Sequence, residues 1–168
     1  MIRFLLPDYR FKKITDISAD FFSGAKLVIL DVDNTLTFSS KTETKKEILE
    51  WLSKIKDRHE CILISNRRSI IKMKSKIENM FGVRLFVSKR RKPSRKLFLQ
   101  IQKEYGIKES DIFVIGDRLF TDVLFANLNG ATSVLVDPIS AKENFFIKLV
   151  RYPEKFLLFS INALGYNK

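Results

Sequence analysis

The sequence predicts an α/β domain in which a parallel sheet of five strands carries helices on both faces. Five short apolar runs, at residues 27–30, 61–64, 84–87, 112–115 and 132–136, are the predicted strands, and segments with apolar residues at helical spacing separate them. Short apolar runs of this kind are typical of strands that are buried on both faces. Strands that alternate with helices imply βαβ units with right-handed crossovers.

Start and stop signals delimit four predicted helices. A capping box formed by Thr44 and Glu47 opens the first helix. The second helix ends at Gly82, a residue type that commonly follows a helix. Pro93 suits the first position of the third helix, where its missing N–H costs nothing. The fourth helix covers residues 119–128.

Length and composition are typical of a single globular domain. The chain has 168 residues, of which 45% are hydrophobic and 30% are charged. We expect one domain over residues 1–168, with a core at about 24–138, an N-terminal strap at 1–23 and an aromatic and basic tail at 139–168. The tail composition fits an interfacial helix on anionic lipid, and it fits packing against the domain at least as well.

Cellular location can be predicted from what the sequence lacks. No apolar stretch is long enough to span a bilayer, and the chain start is too short for a signal peptide. The single Cys61 cannot form an internal disulfide, and its apolar surroundings indicate a buried structural thiol. We therefore expect a cytoplasmic protein, and peripheral contact with a membrane stays open.

Positive charge is concentrated in one segment. The formal net charge is +12, and the residues from Asn66 to Lys96 include twelve basic side chains and one acid, Glu78. Such a field favours an anionic partner, which could be a phosphate, a nucleic acid or an acidic membrane face. Taken without its neighbouring motifs, the segment is equally consistent with a solvated helix face.

Polar residues follow three of the predicted strands at the point where each strand ends. Asp31 and Asp33 follow the first strand, Ser65 and Asn66 the second, and Asp117 the fourth. Because ligands bind beyond the carboxyl ends of strands in an open parallel sheet, we expect these side chains to share one pocket.

The residue types in this pocket indicate phosphate chemistry. Asp31, Asp33, Asp117 and Asp122 would bring several carboxylates together, which is costly unless a cation neutralises them. Oxygen ligands without thiolate or imidazole suit Mg²⁺ better than zinc. A carboxylate can attack phosphorus to form an aspartyl-phosphate, and a lysine can offset the charge of the phosphoryl group.

Four motifs in order resemble the haloacid dehalogenase-like (HAD) phosphatase superfamily. DxDxT matches residues 31–35, the Ser or Thr of the second motif matches Ser65, the Lys of the third matches Lys92, and GDxxxxD matches residues 116–122. The resemblance implies a Rossmann-like HAD fold and a phosphoric monoester hydrolase. Taken singly, three of the motifs also have purely structural explanations. Residues 31–35 could form an Asx-type turn, Ser65 could cap a helix, and Lys92 could belong to a solvated basic segment.

The resemblance also implies catalytic roles. Asp31 would be the nucleophile and a metal ligand. Asp33 would act as general acid and then base, with its backbone carbonyl facing the metal. Ser65 would hydrogen-bond the phosphoryl group, and Lys92 would neutralise its charge.

Further residues would bind the metal and the substrate. The resemblance implies that Asp117 binds Mg²⁺ and that Asp122 supports the metal from one step further out. We expect Thr35, Asn66 and Arg67 to contact the phosphorylated substrate.

The substrate prediction depends on a more particular likeness. Elements between about Leu6 and Pro138 are similar to the YqeG-type branch, which includes phosphatidylglycerophosphate phosphatases that act at membranes. Arg118 departs from the Gln that this branch more often has. The intervals after Thr35 and after Ser65 are too short for a large cap domain, and an open pocket suits a large or surface-bound phosphate. An anionic lipid is therefore the predicted substrate.

Two alternatives stay open at this point. One is a HAD phosphatase for a soluble or nucleic-acid phosphate. The other is a basic RNA-binding module, which we rank low because only Phe81 and Phe86 are aromatic between Asn66 and Lys96.

Overall fold

The computed structural model describes residues 2–38 and 42–140, and every structural statement below concerns these ranges. The predicted tail therefore lies outside the described residues beyond Ser140. Six parallel strands form one sheet in the order β1-β6-β5-β2-β3-β4. The strands are β1 (Tyr9–Phe11), β2 (Leu27–Asp31), β3 (Cys61–Ile64), β4 (Arg84–Leu85), β5 (Ile112–Gly116) and β6 (Thr132–Val136).

The prediction of five strands was wrong by one, because the N-terminal strap supplies an edge strand. Tyr9–Phe11 pairs in parallel with β6. Asp8 anchors this pairing, since its Oδ2 accepts hydrogen bonds from the backbone N and the Oγ of Ser133, both at 2.8 Å. A three-residue strand that pairs on one side only has too little apolar pattern to be recognised in the sequence.

Helices connect the strands in the predicted order. They are α1 (Lys46–Lys56), α2 (Lys74–Phe81), α3 (Arg95–Tyr105) and α4 (Leu124–Asn127). Short 3₁₀-helices span Ile2–Leu5, Ile14–Asp16, Ala19–Phe22, Arg68–Met73 and Glu109–Asp111, and a π-helix spans Leu119–Val123. The predicted second helix is thus a 3₁₀-helix followed by α2, and it ends at Gly82 as expected, with φ at 60°.

Two predicted helix starts were wrong. The hydroxyl of Thr44 does not cap α1 but donates to the backbone oxygen of Leu36, so it ties the helix approach to the loop after β2. The third helix begins at Arg95, after Ser94, and Pro93 lies before it in a cis peptide with Lys92. Residue 92 is held outside the helix by a hydrogen bond from its N–H to the side chain of Asn66.

The core has two layers, one on each face of the sheet. Val28 and Leu30 of β2 pack into the layer that α1 and α2 cover, and Leu27 and Ile29 pack into the layer that α3 covers. All five residues of β2 are buried. Full burial of a Leu or Ile side chain contributes about 1.5–3 kcal/mol, so this central strand is firmly held. The α/β, Rossmann-like fold with helices on both faces is confirmed.

The strand order places a switch point at the end of β2. The chain moves from β2 to β3 and β4 on one side, and it then crosses to β5 on the other. The carboxyl ends of β2, β3 and β5 therefore meet around Asp31, where the sheet can open a crevice. In the described ranges, no helix is long and apolar enough to cross a membrane.

Candidate active site

Asp31 is the last residue of β2 and is buried at the centre of the sheet edge. Its Oδ1 lies 2.5 Å from Nζ of Lys92, and its Oδ2 accepts a hydrogen bond of 3.2 Å from Oγ1 of Thr35. The same Thr35 hydroxyl lies 3.5 Å from Oδ1 of Asp117. Thr35 therefore joins two carboxylates that come from different strands.

A tight turn after β2 brings Thr35 back toward Asp31. The backbone N–H groups of Leu36 and Thr37 both donate to the oxygen of Val32, at 3.0 and 2.9 Å. Asn34 has φ at 64°, a left-handed conformation that Asn tolerates better than most residues. The backbone turn and the residues of the functional motif thus occupy the same short segment after β2.

Lys92 lies between two carboxylates in the interior of the site. Its side chain is 1% exposed, and its Nζ is 2.5 Å from Asp31 Oδ1 and 2.5 Å from Asp122 Oδ1. Burial alone would lower the pKa of Lys92, but the charges of Asp122 and Asp31 outweigh it and raise that pKa. The ammonium group is therefore held in its charged form. A lysine in a solvent-exposed basic segment would not be buried between two carboxylates in this way.

The side chain of Asn66 holds the backbone of Lys92 on both sides. Oδ1 of Asn66 accepts from the Lys92 N–H at 2.8 Å, and Nδ2 donates to the Lys92 oxygen at 3.0 Å. Asn66 follows β3 directly, so the rigid sheet positions a lysine that lies 26 residues further on. The amide of Asn66 therefore positions Lys92. The sequence did not predict this role, because the groups that Asn66 contacts belong to the backbone and leave no pattern in the sequence.

Asp122 is held from three directions. Besides its contact with Lys92, its Oδ2 accepts from the N–H of Arg118 and from Oγ1 of Thr121, both at 3.2 Å. Its carboxylate lies directly against Gly116, where any added Cβ would overlap Cγ of Asp122. Only glycine leaves enough space for Asp122 at the first position of the GDxxxxD motif. The short spacing between the glycine and the last Asp of the motif could have indicated this contact in the sequence.

Three buried carboxylates form a candidate metal centre. Oxygen atoms of Asp31, Asp117 and Asp122 all lie within 4.8 Å of one another. Burial raises the pKa of Asp31 well above its ordinary value, Lys92 opposes the shift, and the charges of Asp122 and Asp117 add to it. With one lysine against three carboxylates, the ionised cluster keeps an excess of negative charge. An all-oxygen donor set with this excess fits a hard divalent cation such as Mg²⁺.

Asp33 lies apart from these three carboxylates. Its Oδ2 accepts a hydrogen bond of 2.6 Å from Oγ of Ser65, and its Oδ1 lies 3.2 Å from Nε of Arg67. Ser65 Oγ also accepts from the N–H of Arg67 at 2.9 Å. The side chain of Asp33 is 26% exposed, so it faces the opening of the site while Asp31 lies at its base. A metal contact of Asp33 through its backbone carbonyl stays a prediction.

Arg67 has a guanidinium nitrogen that no described residue accepts from. Its Nη2 is buried and has no hydrogen-bond partner among the described residues, and the same is true of Nε of Arg118. A guanidinium group beside a polar site is well suited to hydrogen-bond an anion. The structure thus brings together all nine predicted site residues, in two groups centred on Asp31 and on Asp33.

Comparison with known proteins agrees with this geometry. A family model described as mitochondrial PGP phosphatase matches residues 2–140. A relative from Bacillus subtilis strain 168, described as probable phosphatase YqeG, is 30% identical over 98% of this chain and 95% of its own length. Phosphatidylglycerophosphate phosphatase 1, chloroplastic/mitochondrial, from Arabidopsis thaliana is 29% identical over 93% of this chain, but only 48% of that protein is covered.

A solved structure shows the same fold. An uncharacterised protein from Listeria monocytogenes serotype 4b aligns with a TM-score of 0.55 at 17% identity, over 80% of this chain and 98% of that one. The resemblance to YqeG-type phosphatases is confirmed by the family model and the Bacillus relative. The chain therefore belongs to the mitochondrial PGP phosphatase family, and it is a phosphatase.

Proposed function

We propose that this protein is a Mg²⁺-dependent phosphomonoester hydrolase that works through an aspartyl-phosphate on Asp31. The observation that carries the proposal is the placement of Asp31, which is buried and in contact with Lys92 at 2.5 Å. The charge of Lys92 opposes the rise that burial causes in the pKa of Asp31, and it also attracts a phosphoryl oxygen. With Asp31 and Asp117 as ligands and Asp122 supporting them, the metal would supply positive charge that lets an anionic nucleophile approach a phosphate.

The first step transfers the phosphoryl group to the protein. A carboxylate oxygen of Asp31 attacks phosphorus, and the bond between phosphorus and the leaving oxygen breaks. Asp33, protonated, donates its proton to that leaving oxygen, and Ser65 and Arg67 orient the Asp33 carboxyl. The free donor on Arg67 can bind a non-bridging phosphoryl oxygen.

The second step regenerates the protein. Asp33, now ionised, takes a proton from water, and the water oxygen attacks phosphorus of the aspartyl-phosphate. Inorganic phosphate leaves and Asp31 becomes a free carboxylate again, so the atoms and charges balance over the cycle. The different exposures of the two residues support this division of work, because Asp33 can reach the leaving group and water while Asp31 lies deeper.

For the substrate we infer a lipid phosphate of the phosphatidylglycerophosphate type, reached at a membrane surface. Two observations support this inference. The matching family and the Arabidopsis relative are both named for this lipid phosphate, and basic side chains lie beside the site. The described residues include no large cap over the pocket, which leaves room for a substrate that stays partly in a bilayer.

A phosphatase panel tests the function. Purified protein would be given phosphatidylglycerophosphate in mixed micelles, nucleotides and sugar phosphates, each with Mg²⁺ or with EDTA. We expect phosphate release from the lipid that requires Mg²⁺ and disappears in Asp31→Asn. Activity on soluble substrates alone would overturn the lipid assignment, and activity that survives Asp31→Asn would overturn the nucleophile. Borohydride reduction during turnover should convert phosphorylated Asp31 to homoserine, which peptide mass spectrometry detects.

Metal binding can be tested without turnover. A ligand that binds only the folded state stabilises it by about 2.7 kcal/mol at a hundred times its dissociation constant. We expect Mg²⁺ to raise the unfolding temperature of the wild type but not of Asp117→Asn. Asp57→Asn is the matched control, because Asp57 is exposed at the end of α1 and should leave the Mg²⁺ effect intact.

A further inference from the structure

A groove of about 310 Å³ extends from the candidate active site across the surface next to it. Ser65, Asn66 and Lys92 line its inner end, so the groove is continuous with the site. Six cationic residues and no acidic one line the groove, and the ammonium group of one of them, Lys92, is buried between Asp31 and Asp122. The cationic residues are Arg67, Arg68, Lys89, Arg90, Arg91 and Lys92.

Most of this charge has no acidic partner among the described residues. Arg68, Lys89, Arg90 and Arg91 are exposed, and no ion pair within the described part of the chain involves them. A groove with low-dielectric walls and charge of one sign concentrates anions near its mouth. The occupant that fits is therefore anionic.

Two aliphatic side chains stand exposed among these cations. Ile71 is 53% exposed and Val87 is 41% exposed, and both line the groove. The neighbouring Ile70 is buried, so the 3₁₀-helix Arg68–Met73 presents Ile71 to solvent. Exposed aliphatic residues surrounded by Lys and Arg are typical of surfaces that enter the headgroup region of anionic bilayers.

The same surface is poorly suited to single-stranded nucleic acid. Binding of that kind relies on exposed aromatic rings that stack on bases. Phe86 is the aromatic residue of the groove, and it is half-buried with the guanidinium of Arg84 at 5.8 Å from its ring centre. The combination of aliphatic and cationic groups therefore favours lipid over RNA.

We propose that this groove and its exposed Ile71 and Val87 form the face that docks onto a bilayer of anionic phospholipid. The proposal rests on the proposed function, because the groove then brings a lipid phosphate in that bilayer to Asp31. Headgroup phosphates occupy the groove beside Arg68 and Arg90, and the two aliphatic side chains enter the bilayer surface.

Vesicle sedimentation tests the charge part of the proposal. Full-length protein is mixed with phosphatidylcholine vesicles that contain or lack phosphatidylglycerol. Each Lys or Arg near such a surface strengthens binding about fivefold, so Arg68→Gln/Arg90→Gln should lower the partition coefficient about 25-fold. Lys54→Gln/Lys108→Gln removes the same charge from exposed positions outside the groove, and it should bind nearly as the wild type does.

A second pair of variants tests the aliphatic contact. Ile71→Ser should weaken binding about fivefold, as expected when a half-exposed side chain no longer enters the bilayer. Leu128→Ser is the matched control, because Leu128 is 46% exposed outside the groove. An unchanged unfolding temperature would show that each variant is folded.

The outcomes separate docking from catalysis. Equal binding to vesicles with and without phosphatidylglycerol would overturn the proposal, and so would groove variants that bind as the wild type does. Loss of RNA affinity in those variants with vesicle binding unchanged would also overturn it. If the wild type binds vesicles through the groove but releases no phosphate from the lipid, the substrate assignment fails and the docking face stands.

Discussion

Asn66 clamps Lys92 by both of its backbone groups, accepting from its N–H at 2.8 Å and donating to its oxygen at 3.0 Å. The clamp fixes the ammonium group between Asp31 and Asp122, although the segment that leads to Lys92 has neither helical nor strand structure. Lys92 is therefore placed by one side chain at the end of β3 together with two carboxylates.

Loss of this clamp should impair turnover more than substrate binding. We expect Asn66→Ala to lower kcat at least tenfold with little change in KM, since the lysine would lose its position. The free energy of unfolding should fall by about 1–3 kcal/mol, because the backbone groups of Lys92 lose their partners. Steady-state kinetics and urea unfolding measure both effects. Asn79→Ala, at an exposed position of α2, is the control, and a large rise in KM alone would instead place Asn66 on the substrate.

Removal of the buried ammonium group should destabilise the protein strongly. Lys92→Met would leave Asp31 and Asp122 buried without their shared cation, and breaking a buried pair in this way costs about 3–5 kcal/mol. Urea unfolding in EDTA measures the change. The double variant Lys92→Met/Asp122→Asn should recover part of the loss. A double variant no more stable than Lys92→Met would contradict the charge argument.

A methyl group at position 116 should displace Asp122. The added Cβ of Gly116→Ala would overlap the Asp122 carboxylate, so Lys92 and the N–H of Arg118 would lose an acceptor. We expect kcat to fall at least tenfold and the unfolding temperature to drop. In an Asp122→Gly background the same substitution should cost much less, because the atoms that it meets are gone. If Gly116→Ala lowers the unfolding temperature equally in both backgrounds, the glycine is not required by its contact with Asp122.

Cys61 should resist alkylation while the protein is folded. Burial raises the pKa of its thiol to about 12, the charge of Glu60 adds to the shift, and Lys56 opposes it. At pH 8 almost none of the thiolate forms, and the thiolate is the reactive species. Iodoacetamide labelling followed by mass spectrometry should modify Cys61 in urea but not in buffer. A Ser110→Cys variant supplies an exposed thiol as the control, and labelling of both thiols at similar rates in buffer would disprove the expectation.

Local patterns were sufficient for much of the fold. The five predicted strands occupy the predicted places. The strand predicted at 84–87 is shorter and ends at Leu85, although the next residue, Phe86, still donates its backbone N–H to the oxygen of Leu63 at 2.8 Å. Gly82 and Gly106 end their helices in left-handed conformations, as their residue type suggests. These features depend on neighbours in the sequence, so periodicity and stop signals reveal them.

The site was predictable for a related reason. Carboxylates at the ends of β2 and β5 must meet once the sheet is parallel, because register in such a sheet aligns the carboxyl ends of neighbouring strands. Asp31, Asp117 and Asp122 therefore came together as the order of elements required.

Tertiary structure alone decided the remaining features, because each depends on a contact between distant segments. The edge strand Tyr9–Phe11 exists through its pairing with β6 and through Asp8 and Ser133, which lie 125 residues apart. The division of the acids into a deep group at Asp31 and an outer pair of Asp33 with Arg67 depends on which partners each side chain meets. Local sequence patterns were enough to predict five of the six strands, the helices between them and the acids at the sheet edge. Long-range hydrogen bonds and ion pairs, which have no periodicity along the chain, decided how those acids and Lys92 are arranged.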